Sequence, residues 1–194
     1  MSASVVGQTE REDYKGASFF HPRVFETVVA DYLSSYYGHK KAHRGPAYRA
    51  PINWKLLSIS SSIQAAIFDI HQINNTSRDN PEFSKHIVFP VSHNRFIQIE
   101  FDYQGKQLVE NRCDITPMLE LNQSIVDTFL LEVGPTMQAQ WDEVKKDCPD
   151  MSLVSDYGEL QWPIKPQNVG KRQESEAEEK EVYERTVKKI AQEK

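Results

Sequence analysis

Long apolar runs and glycine are both scarce in this chain of 194 residues, and each shortage argues against a class of protein. No apolar run approaches the roughly 18–20 residues that a membrane-spanning helix requires. Eight glycines are few for a phosphate-binding α/β enzyme, and the stretches "YGHKK", "HRGPAY" and "EVGPTM" match no phosphate-binding pattern. We therefore expect neither a transmembrane protein nor a nucleotide-binding enzyme of that kind.

A basic balance is also missing, because the net charge is −5 at pH 7. General nucleic-acid binders usually carry a basic surface, so we expect no nucleic-acid partner. The hydrophobic fraction of 39% and the charged fraction of 26% are typical of a globular protein. A chain of this length suffices for one domain with a substantial core.

The first residues, "MSASVVGQTEREDYKGAS", are polar and lack the apolar centre of an export signal. Two interpretations stay open. The chain is cytoplasmic as it stands, or Met1 stands where an export segment has been removed. The second, which we favour, places the protein in the periplasm and is compatible with a lipid anchor on the removed N-terminus.

Composition divides the chain into three parts. We predict a flexible lead over residues 1–18, a single domain over 19–170 and a charged tail over 171–194. The tail carries seven basic and seven acidic residues with almost no apolar face, which favours a solvated helix or a disordered extension.

Apolar residues recur at helical spacing in three places. "HPRVFETVVADYLSSYYG" has Pro22 near its start and a helical period through Val24, Val28, Tyr32 and Tyr36. "TPMLELNQSIVDTFLLEV" and "TMQAQWDEVKKDC" repeat the period on either side of a Gly-Pro break. The pattern predicts an N-terminal helix and a helical hairpin over 116–148.

Between these helices the period changes to two. Ile97, Ile99, Phe101 and Tyr103 alternate with polar residues in "KHIVFPVSHNRFIQIEFDY", which is typical of a half-buried antiparallel strand. "INWKLLSIS" and "SIQAAIFDIH" are further candidate strands. We predict an α+β fold: an antiparallel sheet across roughly 52–104 with an N-terminal helix and a C-terminal helical hairpin packed on one face.

The chain has two cysteines, and the predicted hairpin places them at the same end. Cys113 precedes its first helix and Cys148 ends its second, and a short connection favours antiparallel neighbours. We predict a Cys113–Cys148 disulfide, which would close about 36 residues and stabilise by about 3–4 kcal/mol in the chain-entropy model. Such a bridge favours an oxidising compartment. Two unpaired thiols are the alternative.

Basic and aromatic residues alternate without any acidic residue between Tyr32 and Phe68. Tyrosine, tryptophan and arginine are enriched at protein–protein hot spots, and a basic surface fits an acidic partner. We predict that this basic aromatic stretch binds a partner through Tyr36, Tyr37, Lys40, Lys41, Arg44, Tyr48, Arg49 and Trp54. The alternative is a solvated face backed by core aromatics.

Candidate catalytic and metal-binding groups are few. His39 and His43 have a spacing that suits a metal on a helix, but neighbouring Lys40, Lys41 and Arg44 would repel a cation. Asp69 and His71 share one side of a strand and could form an acid/base pair, but no third member is evident. We therefore assign no catalytic, cofactor-binding or metal-binding residue.

Several phrases, among them "INWKLLSIS", "HIVFPVSHNRFIQIEFDY" and "CDITPMLELNQSIVDTFLLEV", resemble small proteins encoded beside type VI secretion effectors of Gram-negative bacteria. The resemblance implies a non-catalytic binding protein of the immunity type, which binds a secreted antibacterial effector toxin and neutralises it by occlusion. The alternative is a secretion-linked adaptor or chaperone that holds an effector for loading. The resemblance assigns no site residue.

Overall fold

The computed structural model describes residues 1–7, 14–38, 47–73, 82–103, 114 and 116–160. It confirms the α+β prediction. In chain order the elements are β1 (Ser2–Gly7), α1 (Pro22–Tyr36), β2 (Ala47–Ser58), β3 (Gln64–Ile73), β4 (Glu82–Ser92), β5 (Arg95–Tyr103), α2 (Thr116–Asp127) and α3 (Pro135–Asp147).

The five strands form one antiparallel sheet in the order β1-β5-β4-β3-β2. Strands β2 to β5 follow one another in space as they do in sequence, and β4 and β5 are joined by a tight turn at His93 and Asn94. Strand β1 returns to the far side of β5. Within the described residues, β1 and β2 are therefore the two edges of the sheet.

The flexible lead predicted over residues 1–18 differs from the structure, because Ser2–Gly7 forms β1. This strand pairs with β5 from Ser2 opposite Glu100 to Gly7 opposite Arg95. Its side chains are small and mostly exposed. Backbone hydrogen bonds rather than burial hold it, so it leaves no hydrophobic period in the sequence.

Helix α1 covers one face of the sheet. It begins with Pro22 at its first turn, a position where proline is well tolerated. Phe96 of β5 is fully buried beneath the helix, with ring centroids 5.9 Å from Phe25 and 5.7 Å from Tyr32. Phe19, which precedes the helix, also packs on Phe96 at 6.3 Å.

The predicted helical hairpin, α2 and α3, packs on the opposite face, so α1 and the hairpin lie on different faces of the sheet and not on the same one. Successive strand residues point to opposite faces, so Ile97 turns away from α1 and joins a second apolar cluster with Ile87 and Phe89. Phe129, just after α2, packs on Phe89 with ring centroids 5.7 Å apart. The helix residues that lie against this cluster are Met118, Ile125, Val126, Met137, Trp141 and Val144.

Residues 151–160, named here the strap, have no helix or strand and lead from the end of the hairpin region to β2. The Val154 carbonyl accepts a hydrogen bond from Trp54 Nε1 at 2.8 Å, and Leu160 N donates to Ala50 O at 2.9 Å. Val154 N donates to the buried Glu26 carboxylate at 2.6 Å. The strap thus ties α1 to the β2 edge.

The charged tail predicted over 171–194 lies outside the described residues. Among the helices that the structure describes, none combines the length and the apolar character needed to cross a membrane.

Candidate functional site

The structure describes only some of the residues of the predicted partner-binding surface. Lys40, Lys41 and Arg44 lie outside the described part of the chain. Tyr36, at the end of α1, is 51% exposed, and its ring lies 4.6 Å from that of Tyr32 and 6.5 Å from that of Tyr37. The Tyr36 ring is therefore accessible to solvent while two other rings support it.

Tyr37 and Tyr48 lie deeper than Tyr36 in the same aromatic group. Their ring centroids are 5.0 Å apart, and Tyr37 also meets the ring of His86 at 6.3 Å. Burial raises the pKa of Tyr37 well above its ordinary value and that of Tyr32 to about 12, so both phenols stay neutral near pH 7. These tyrosines form a packed base beneath Tyr36.

Arg49 and Trp54, also predicted for this surface, both contact the strap, and the Arg49 side chain remains 51% exposed. The Arg49 guanidinium forms two hydrogen bonds to the Glu159 carboxylate, at 2.8 and 2.7 Å. Trp54 is buried, and its ring stacks on Phe68 at 5.7 Å. Composition could not distinguish these residues from contact residues, because their partners in the strap lie about a hundred positions away in sequence.

A buried histidine lies next to this tyrosine group. Gln98 Nε2 donates to His86 Nδ1 at 2.8 Å, and His86 Nε2 is 2.7 Å from Ser84 Oγ, so the neutral ring donates from Nε2. His86 also stacks on Phe68 at 5.6 Å. The position of His86 beside the predicted β-hairpin favours a turn or edge residue, but the structure buries it on the central strand β4, on the same face as Val88 and beneath α1.

The charge state of His86 follows from its burial. Desolvation lowers the pKa of His86 to about 4, and the charge of the Asp69 carboxylate acts in the opposite direction. Glu100 lies 3.8 Å from His86 Nε2, and burial raises the pKa of that carboxyl. At neutral pH the imidazole is therefore an uncharged hydrogen-bonding core residue.

We expect the stability of the protein to fall on acidification below about pH 6.5. In the unfolded chain His86 takes up a proton near pH 6.5, whereas in the fold it stays neutral down to about pH 4. The unfolded state thus binds more protons in this window, and the free energy of unfolding rises with pH by about 3 kcal/mol across it. Denaturant titrations at several pH values give the free energy of unfolding as a function of pH, and this free energy should depend less steeply on pH in His86→Gln than in the wild type. Equal pH dependence in the two proteins would contradict a buried, neutral His86.

Asp69, rejected from the sequence as one half of an acid/base pair with His71, forms two polar contacts. Lys85 Nζ lies 3.1 Å from Asp69 Oδ1, and Asn53 Nδ2 donates to Oδ2 at 2.8 Å. Asn53 itself has a left-handed φ of +56°, a conformation that asparagine tolerates well. Both carboxylate oxygens therefore stabilise the pairing of β2, β3 and β4.

A second histidine lies in the β4–β5 turn beside an open cleft of about 480 Å³. His93 Nδ1 is 2.9 Å from Ser18 Oγ, and Nε2 is 3.9 Å from Glu143 Oε2. Serine, imidazole and carboxylate in this order occur in nucleophilic catalysis. Here Glu143 is 74% exposed and beyond hydrogen-bond distance, and Ser18 Oγ accepts from Phe20 N at 3.2 Å. The geometry supports a structural role for Ser18 in the turn before α1.

Of the two cysteines, Cys148 is described, and in this structure its thiol donates to Asp150 O at 3.2 Å and forms no disulfide. Cys113 lies outside the described residues, and a Cys113–Cys148 bridge stays a prediction for oxidising conditions. We expect protein prepared under oxidising conditions to show no titratable thiol after denaturation until a reductant is added. Two free thiols before reduction would contradict the bridge.

Compared with known proteins, the chain matches no family model, no curated protein and no solved structure. Within the described residues there is no group of three or more histidine, cysteine or acidic side chains that could hold a metal ion. The expectation that the protein needs no metal or cofactor stays a prediction.

Proposed function

We propose that the protein is a non-catalytic binding protein of the immunity type, which binds a secreted antibacterial effector and occludes its active site. The observation that carries this proposal is the exposure of Tyr36 on a base of packed tyrosines. A tyrosine held by its neighbours loses little conformational freedom when it binds, which makes it a favourable hot-spot residue.

Charge supports the same surface. The chain as a whole carries −5, yet no acidic residue occurs between Tyr32 and Phe68. Tyr36 therefore lies directly before a segment that contains Lys40, Lys41 and Arg44. A local positive field in an acidic protein favours an acidic partner surface and speeds its association.

The proposal is tested by reversing this field and measuring binding to the product of the adjacent gene. We expect Lys40→Glu, Lys41→Glu and Arg44→Glu together, and Tyr36→Ala separately, to weaken binding at least tenfold with an unchanged melting curve. The loss in the charge-reversed protein should grow as salt is lowered. The matched control reverses three exposed basic residues elsewhere, Lys15, Arg95 and Lys146, and should bind like the wild type.

Assays with the same partner distinguish an immunity protein from a secretion adaptor. An immunity protein should protect a susceptible cell that makes the effector, and the charge-reversed variant should fail to protect it. An adaptor should instead raise secretion of the effector without protecting the target cell. Wild-type binding by the charge-reversed protein would remove this surface from the interface.

A further inference from the structure

The two edges of the sheet differ in how they are protected. Strand β2 contains Pro51, two register shifts against β3 and an exposed Lys55, and the strap donates a hydrogen bond from Leu160 N to Ala50 O. Proline, irregular register, lysine and a covering segment are the usual devices that keep an edge strand from pairing with another chain. The β2 edge is therefore unsuited to further strand addition.

Strand β1 shows none of these devices in the part of the chain that the structure describes. Its six residues, Ser2–Gly7, contain no proline and no charged side chain, and they pair with β5 in one continuous register. Among the described residues β1 pairs with β5 alone, which leaves the backbone groups on its outer side without a strand partner. Val5 is 64% exposed although it is β-branched and apolar.

We propose that β1 pairs in antiparallel fashion with β1 of a second copy of this chain, giving a two-fold symmetric dimer with a continuous ten-stranded sheet. Such pairing requires a two-fold axis perpendicular to the sheet, so residues that meet belong to the same face in both copies. The second copy is the occupant that the strand's chemistry favours, since an uncharged strand meets itself without like-charge repulsion.

The same symmetry brings the exposed apolar side chains together. Val5 pairs with Ile97 and therefore lies on the hairpin face of the sheet, as does Ala3, which pairs with Ile99. In either symmetric register, with Ser4 or Val5 on the axis, Ala3 and Val5 from both copies form one apolar group. The dimer would remove Val5 from water and satisfy the outer backbone groups of β1 at once.

A six-residue strand pair buries less than the roughly 1,000 Å² that a stable specific interface exceeds. The expected dimer is therefore weak and reversible. Sedimentation velocity over a concentration series should show the wild-type chain shifting from monomer to dimer as its concentration rises.

Val5 variants test the proposal through charge. In Val5→Glu and in Val5→Lys, two like charges lie opposite or diagonal to each other across the axis, so each variant alone should dimerise at least about tenfold more weakly. An equimolar mixture of the two variants should dimerise again, because each pair then carries opposite charges. Leu130→Glu makes the same apolar-to-acidic change at a position that is 81% exposed in the hairpin connection, and should dimerise like the wild type.

Melting curves of both Val5 variants should match the wild type, since the side chain is exposed in the monomer. A wild-type chain that stays monomeric at every concentration would overturn the proposal. The chain would also stay monomeric if the natural occupant of this edge were an extended segment of another protein. Undiminished dimerisation of Val5→Glu would overturn it too, by placing the contact elsewhere. The inference does not depend on the proposed effector binding, because it is tested with this chain alone.

Discussion

Replacing Phe96 with alanine is expected to lower the free energy of unfolding by about 3–5 kcal/mol, the usual cost of removing a fully buried phenylalanine. Its ring lies within 5.7–6.3 Å of Phe19, Phe25 and Tyr32, measured between centroids. The substitution removes the ring through which β5 contacts Phe25 and Tyr32 of α1. Because the three rings lie on α1 and on the turn just before it, they could fill the cavity only if this whole segment moved toward the sheet.

Chemical denaturation of the variant beside Leu130→Ala provides the measurement and its control. Leu130 is 81% exposed, so its truncation should change stability by less than about 0.5 kcal/mol. A loss below about 1 kcal/mol for Phe96→Ala would contradict the described packing of α1 on the sheet.

Trp54→Ala is expected to destabilise by a similar amount, about 3–5 kcal/mol, and to release the strap. The ring is held between Phe68 at 5.7 Å and Tyr157 at 4.8 Å, and its Nε1 donates to Val154 O at 2.8 Å. Loss of the ring therefore removes core packing and the main contact of the strap with β2 together. Limited proteolysis should show faster cleavage within 151–160.

Trp54→Phe separates the two contributions. It keeps an aromatic ring near Phe68 but leaves Val154 O without its donor, which should cost about 1–3 kcal/mol. Partner binding measured on the folded variant also distinguishes the two interpretations of Trp54. If Trp54→Phe binds the partner with wild-type affinity, Trp54 acts only in the core, as its burial indicates. A large loss of affinity in a still folded Trp54→Phe protein would instead show that Trp54 contacts the partner.

The helices and the central strands could be predicted because burial imposes a period on their sequences. The 3.6-residue pattern located α1 and both hairpin helices, and the strict alternation after Phe96 located β5. Strand β1 could not be found in this way, since backbone pairing with β5 stabilises it and mostly exposed side chains carry no period. A sheet edge is set by tertiary pairing, which a local pattern does not record.

The candidate site was predictable only in part, for a related reason. Composition indicated a basic, aromatic surface, and Tyr36 does lie exposed at its start. The same composition could not reveal that Arg49 and Trp54 turn toward the strap, because Glu159 and Val154 are about a hundred residues further along the chain. Residue type indicates which side chains can form contacts, and only the fold determines which partner each one meets.

The strap also has a consequence for the order in which the protein is made. The buried carboxylate of Glu26 accepts a hydrogen bond from Val154 N, and the Glu26 carbonyl accepts one from the Tyr157 hydroxyl, so these partners are separated by 128 and 131 positions. Helix α1 cannot form the first bond until residue 154 has left the ribosome, or the second until residue 157 has left it. Contacts of such long sequence separation slow folding, because the chain must close a large loop before they stabilise it. During synthesis the α1 side of the sheet therefore reaches its final form only after nearly the whole described chain has emerged.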